Sequence, residues 1–142
     1  RRLKRLLWLH TVPHHDNVLF ELMEERGAVV VLEEMGQMHT ETIDVDDPFP
    51  GLARRLTDHT LWGTSARRAR LNVALAKHLK VDGAVHFNHW GCRHGLGSVP
   101  VVRAAFVEAG IPFLAIDGDA LARGGPNQEK SIQAMESFLE LL

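Results

Sequence analysis

Four short apolar runs, Leu3–His10, Ala28–Leu32, Ala84–Asn88 and Phe113–Ile116, are each followed by a longer stretch whose apolar residues recur every three or four positions. No other feature constrains the fold as much. Short, nearly continuous apolar runs read as strands buried on both faces, and the amphipathic stretches between them read as helices that carry the chain back to the same edge. Right-handed crossovers of this kind build a parallel sheet with helices on both sides.

The local punctuation agrees with that alternation. Asp16 or Asn17 can cap a first helix with Leu19, Leu22 and Met23 inward, and Gly27 stands where a left-handed residue ends it. Asp47 and Pro48 suit the cap and first turn of a short helix whose apolar positions include Phe49, Leu52, Ala53 and Leu56. Thr64 or Ser65 can cap the next, which carries Leu71, Ala74, Leu75 and Leu79. After the third strand a glycine-bearing turn leads to a helix with Val101, Val102, Ala105, Phe106 and Ala109 inward, stopped by Gly110. Asn127 is the expected cap of the last helix, where Ile132, Met135, Phe138, Leu139 and Leu142 form one stripe. The expected fold is a single α/β domain over residues 1–142, a three-layer Rossmann- or flavodoxin-like arrangement of four parallel strands. Because the first crossover is the shortest, the expected strand order is 2-1-3-4.

Composition narrows the function. Of 142 residues 45% are hydrophobic, enough for one core, and the net charge of -2, with Lys and Arg spread along the chain, leaves no footprint for nucleic acid or an anionic membrane. No apolar run approaches the roughly 20 residues that span a bilayer, and the start lacks the apolar region of a signal peptide, so a cytoplasmic protein is expected. The single cysteine excludes an internal disulfide. The chain starts at Arg1 rather than Met, which fits a piece of a longer protein.

In an open parallel sheet, ligands collect outside the carboxyl ends of the strands. That rule selects His10–His15, Glu33–His39, His89–Gly97 and Asp117–Asp119, and six of the nine histidines (His10, His14, His15, His39, His89 and His94) fall in the first three. The segment His89-Trp90-Gly91-Cys92-Arg93-His94-Gly95-Leu96-Gly97-Ser98 carries the most chemistry. Its glycines let backbone approach a ligand, and the following helix offers amide donors. A cysteine beside Arg93 in such a place is expected to have thiolate character. Cys92 equally fits a space-filling role under the helix, with the glycines making a tight turn.

Other chemistries stay open at this stage. The third glycine of a dinucleotide fingerprint is absent, so a nucleotide site has little support. Zinc on His86, His89, Cys92 and His94 is conceivable, but alternation along a strand should point His86 and His89 to opposite faces. His14 and His15 can bind an acyl or phosphate group or relay protons, or sit in a solvated loop. Glu33 and Glu34 invite a general-base role, although carboxylates ending a strand are usually solvated. Asp117 and Asp119 can hold a metal or make a turn. Trp90 can cover a ligand or the core.

The run Val81-Asp82-Gly83-Ala84-Val85-His86-Phe87-Asn88-His89-Trp90-Gly91-Cys92-Arg93, followed by Glu108-Ala109-Gly110-Ile111-Pro112-Phe113-Leu114-Ala115-Ile116-Asp117-Gly118-Asp119, resembles the carboxyl-terminal portion of the 2-hydroxyglutaryl-CoA dehydratase D-component family. That family includes other 2-hydroxyacyl-CoA dehydratases and benzoyl-CoA reductase subunits. The resemblance implies a lyase of anaerobic metabolism with a [4Fe-4S] cluster in each of two related subunits, each held by three cysteines with one iron site open. It further implies an ATP-hydrolysing activator that injects one electron, and an acyl-CoA substrate that loses its hydroxyl group as a ketyl radical.

Carried over by position, Cys92 becomes the metal ligand, with His89 and Trp90 beside it. Arg93 and the backbone of Gly95, Gly97 and Ser98 can balance negative charge, and His14 is a substrate candidate. Two departures limit the carry-over. One thiolate leaves at least two ligands to be supplied from elsewhere, so the isolated chain is expected to be inactive and to hold no cluster. The family's last helix also tends to carry a Thr-Arg pair where this chain has Gln133 and Ala134. Both departures leave room for a non-catalytic α/β module that binds acyl-CoA, a nucleotide or a partner subunit.

Overall fold

The computed structural model describes residues 2–36, 42–122 and 127–142. Strands β1 (Lys4–His10), β2 (Ala28–Glu33), β3 (Gly83–His89) and β4 (Phe113–Gly118) pair in parallel in the order β2-β1-β3-β4, as the crossover lengths predict. Helices α1 (Val18–Glu25), α2 (Pro48–Asp58), α3 (Ser65–His78), α4 (Arg93–Glu108) and α5 (Gln128–Leu141) connect or follow them, and a short 3-10 turn, Glu34–Gly36, extends β2.

Alternation along β1 builds two cores. Leu6 and Trp8 pack with Leu19 and Met23 of α1 and with Met135 and Leu139 of α5, whereas Leu7 and Leu9 pack with Ala69 and Ala76 of α3 and with Val102 and Phe106 of α4. All four β1 residues are fully buried, and burying each leucine contributes about 1.5–3 kcal/mol. The strand ends of interest are thus fixed by apolar packing on both faces. Gly27 closes α1 at a φ of +71°, as expected for the residue after a helix. Thr64 caps α3 by accepting the Arg67 amide at 3.2 Å, while the side chains of Asp47 and Asn127 occupy cap positions without making a cap bond.

Three local expectations need correction. Helix α3 does not turn its leucines inward as its main face; its buried residues are Arg68, Ala69, Asn72 and Ala76, because a buried carboxylate opposite compensates the polar pair. Helix α4 begins at Arg93, so Gly95 and Gly97 belong to its first turns rather than to a preceding loop, and Val101 is exposed. Helix α2 buries no residue: Phe49, Leu52 and Leu56 all face outward. Among the described residues no helix is long and apolar enough to cross a membrane.

Candidate functional site

The four strands end side by side, and two groups of polar residues gather there, one on each face of the sheet. On the α4 side, Cys92 is the N-cap residue of that helix and is half-buried, with its sulfur accepting the amide N–H of Gly95 at 3.3 Å. The turn that delivers it is closed by the Cys92 amide donating to the His89 carbonyl at 3.0 Å. Gly97 faces open space and Arg93 and His94 are exposed, so the turn is accessible from outside. Ser98 and Gly95 are buried beneath it.

Under that turn lies a charged network that the sequence pattern did not reveal. Arg68 donates to Glu34 through Nε at 2.8 Å and Nη2 at 2.5 Å, with both side chains almost wholly buried. Glu34 also accepts from Asn72 Nδ2 at 2.6 Å and from the His10 amide at 2.9 Å. The solvated carboxylate expected at this strand end is instead the most enclosed one described, because three donors replace its water. Arg68 further donates to Ser98 Oγ and to His86 Nε2, the latter at 3.1 Å. His10 and His86 stack with ring centroids 5.5 Å apart and planes 5° from parallel.

The electrostatics follow from this packing. Burial alone would raise the Glu34 carboxyl, but its hydrogen bonds to Arg68 and the guanidinium charge hold it below its ordinary value. Burial, reinforced by the Arg68 charge, pushes His86 down to about 3, and burial lowers His10 despite its bond to the Phe87 carbonyl. Both imidazoles are therefore neutral near pH 7. His86 Nε2 accepts from Arg68, which places its proton on Nδ1, and among the described residues neither that atom nor the buried Asn88 Oδ1 has a hydrogen-bond partner. Asn88 in turn donates to Asp117 Oδ1 at 2.7 Å across the β3–β4 pair.

On the other face, the end of β4 and the β1–α1 loop enclose a cleft with an apolar floor of Leu19 and Phe87, an edge formed by Trp90, and Asp16, Asp117 and Asp119 around it. His89 belongs to this face. Its Nδ1 accepts the Ala120 amide at 3.2 Å and lies 3.8 Å from Asp119. His14 is exposed, and its amide donates to the Ala120 carbonyl, so His14 and His89 meet through that residue. Trp90 is 46% exposed and joins the cleft to the Cys92 turn.

The selected residues thus divide. Cys92, Gly95 and Ser98 follow one another at three-residue steps over the first two turns of α4; Trp90 and His15 line the cleft, and His14 and His89 are joined beside it through Ala120. His39 lies outside the described residues. His86 and His89 point to opposite faces, as strand alternation predicts, so the four residues considered for zinc do not converge. Among the described residues no three His, Cys, Asp or Glu side chains are placed to hold a metal ion together. The turn fits one thiolate ligand, open to the outside and receiving an amide hydrogen bond, with every further ligand supplied from elsewhere. Of the pair that replaces Thr-Arg, Gln133 is exposed and Ala134 half-buried near the end of β4.

Arg68 and Asn72 were missed because a charged residue on a helix is ordinarily assigned to the solvent face. A signal was present: they stand four residues apart beside Ala69 and Ala76, and small residues mark a helix face that approaches a sheet closely.

A family model described as "2-hydroxyglutaryl-CoA dehydratase, D-component" matches residues 1–142. The chain is also 28% identical over 145 residues to the (R)-phenyllactyl-CoA dehydratase beta subunit of Clostridium sporogenes, a match covering 98% of this chain and 38% of that protein. It therefore spans well under half the length of this relative.

Proposed function

Because the chain belongs to the 2-hydroxyglutaryl-CoA dehydratase D-component family, we propose that it supplies Cys92 as a ligand to a [4Fe-4S] cluster in an iron–sulfur 2-hydroxyacyl-CoA dehydratase subunit. The observation that carries this reading is the position of the Cys92 sulfur: at the carboxyl edge of a central strand, capping a helix, with one amide donor and an outward path. When bound, the cluster supplies one-electron chemistry and a Lewis-acid iron. The reaction is radical elimination of water from an acyl-CoA, with an ATP-hydrolysing activator as electron source. A related second subunit is the partner, in keeping with the name of the beta-subunit relative.

The chain's own residues have definable tasks in this scheme. Cys92 holds iron, and the Gly95 amide orients its sulfur. His89 accepts the Ala120 amide at Nδ1, so its proton resides on Nε2, which lies over Gly91, where the lack of a side chain leaves it uncovered for a substrate oxygen. Trp90 shields the cleft from water, and Arg93, exposed on the first turn of α4, offers charge to a thioester oxygen that gains negative charge or to a phosphate.

Anaerobic reconstitution of the dehydratase that contains this chain, as parent and as Cys92→Ser, tests the reading. Loss of iron and of the cluster spectrum in the variant is expected. Unchanged iron and spectrum would reject the ligand assignment and favour the second reading, a non-catalytic module that uses the same edge to hold acyl-CoA or a partner. That reading draws on the single thiolate and on the absence of converging metal ligands among the described residues.

A further inference from the structure

We infer that Ser98, His10 and the Glu34–Arg68 pair form a positioning frame for the Cys92 sulfur, acting through Gly95; the inference rests on the reading of Cys92 as a cluster ligand.

Two separate paths run from the buried ion pair to Gly95. In one, Arg68 Nη1 donates to Ser98 Oγ, and the Ser98 hydroxyl donates to the Gly95 carbonyl at 2.8 Å. In the other, Glu34 Oε2 accepts the His10 amide at 2.9 Å, at a residue held at a φ of +69°, which side chains other than glycine rarely adopt. The His10 ring is then fixed by its Nδ1–H to the Phe87 carbonyl at 3.0 Å and by stacking on His86. Its Cε1–Nε2 edge rests against Gly95, where a Cβ would come within 2.7 Å.

The carbonyl of Gly95 is thus tied on one side and its α-carbon backed on the other. Its remaining polar group, the N–H, is the donor to Cys92 Sγ. Donors to a ligating sulfur and the groups behind them set ligand orientation and cluster potential. A buried, doubly hydrogen-bonded ion pair is a stiff foundation, since breaking it leaves an uncompensated charge.

Three variants test the frame. Ser98→Ala cuts the first path, Gly95→Ala drives a methyl into the His10 ring, and the double variant His10→Gly/Gly95→Ala removes that ring while suiting the positive φ. The alkylation rate of Cys92 by iodoacetamide is read in the cluster-free chain; midpoint potential, EPR spectrum and iron retained against a chelator are read in the reconstituted dehydratase, with thermal stability alongside. In Ser98→Ala and Gly95→Ala the alkylation rate and the potential should change and iron retention should fall about 10- to 100-fold, with the double variant returning toward the parent. Should Gly95→Ala fail to fold, Ser98→Ala alone decides. Parent-like alkylation, potential and spectrum in a folded Ser98→Ala protein, even with lowered thermal stability, would overturn the frame. Full iron content in Cys92→Ser would instead reject the ligand reading, while the alkylation rates, taken without any cluster, report on the frame by itself.

Discussion

The guanidinium of Arg68 grips the carboxylate of Glu34 at both oxygens, at 2.8 and 2.5 Å, where neither side chain is more than 1% exposed. An ion pair so enclosed gives little net stability over an apolar pair, yet removing one partner strands the other charge. Glu34→Ala should therefore lower unfolding free energy by about 3–5 kcal/mol, as should Arg68→Met. The double variant Glu34→Gln/Arg68→Met, which strands no charge and keeps an acceptor for Asn72 and His10, should lose less than either. Urea denaturation of the four proteins checks this; a double variant as unstable as either single one would refute it.

The buried imidazoles make the fold acid-labile. His86 is held down to about 3, first by burial and then by the Arg68 charge, against an ordinary value of 6.5. Between those values only the unfolded chain binds the proton, so stability rises with pH across the window and is lost as pH falls through it. One proton corresponds to about 1.4 kcal/mol per pH unit. His10, lowered in the same sense, adds to this slope, and Glu34, held below its ordinary value, adds a further loss once its carboxylate protonates. His86→Gln keeps an acceptor for Arg68 and should flatten the slope of stability between pH 4 and 6 by up to one proton. Equal slopes in parent and variant would show that His86 takes no part.

Asn88 and Asp117 are paired across β3 and β4 by a 2.7 Å hydrogen bond. Asn88→Asp replaces the donor by a second carboxylate, so a loss of about 1–3 kcal/mol is expected at neutral pH. Acid should relieve it, because protonating either carboxyl restores a donor. Thermal melts at pH 7 and pH 4 measure the difference between variant and parent; a difference that does not shrink in acid would exclude carboxylate repulsion.

Helix α2 gives a contrast. Phe49 is 78% and Leu56 67% exposed, so Leu56→Lys should change stability by no more than about 0.5 kcal/mol, as for surface sites generally. Leu7→Ala, at a fully buried site in β1, should cost about 2–5 kcal/mol. Denaturant midpoints of the two variants separate these cases, and a large loss from Leu56→Lys would mean that the helix packs against the body.

The sheet was legible because Leu6, Leu7, Trp8 and Leu9, or Ala84, Val85 and Phe87, are apolar whichever face they meet, so their burial does not depend on knowing the partner. Strand order followed from crossover length alone. The place of the Cys92 turn, at the carboxyl end of a strand and before a helix, was legible because the apolar run of β3 ends just ahead of its glycines. The network beneath it was not. Arg68 is inside only because Glu34 is, and Glu34 only because Arg68, Asn72 and the His10 amide meet it; each residue alone reads as solvent-facing, and the pairing spans 34 residues of chain. Helix α2 misled in the opposite direction, since an apolar stripe states a need for cover without naming what provides it.

β3 is bonded along its length to β1 on one side and β4 on the other. Its amides can exchange with solvent only when the sheet itself comes apart, whereas those of α2, which buries no residue, can exchange through brief local openings. The strand that leads to Cys92 thus belongs to the last part of the molecule to open, and a chaperone that catches the chain half-open will meet the α2 region while the anchor of the Cys92 turn is still in place.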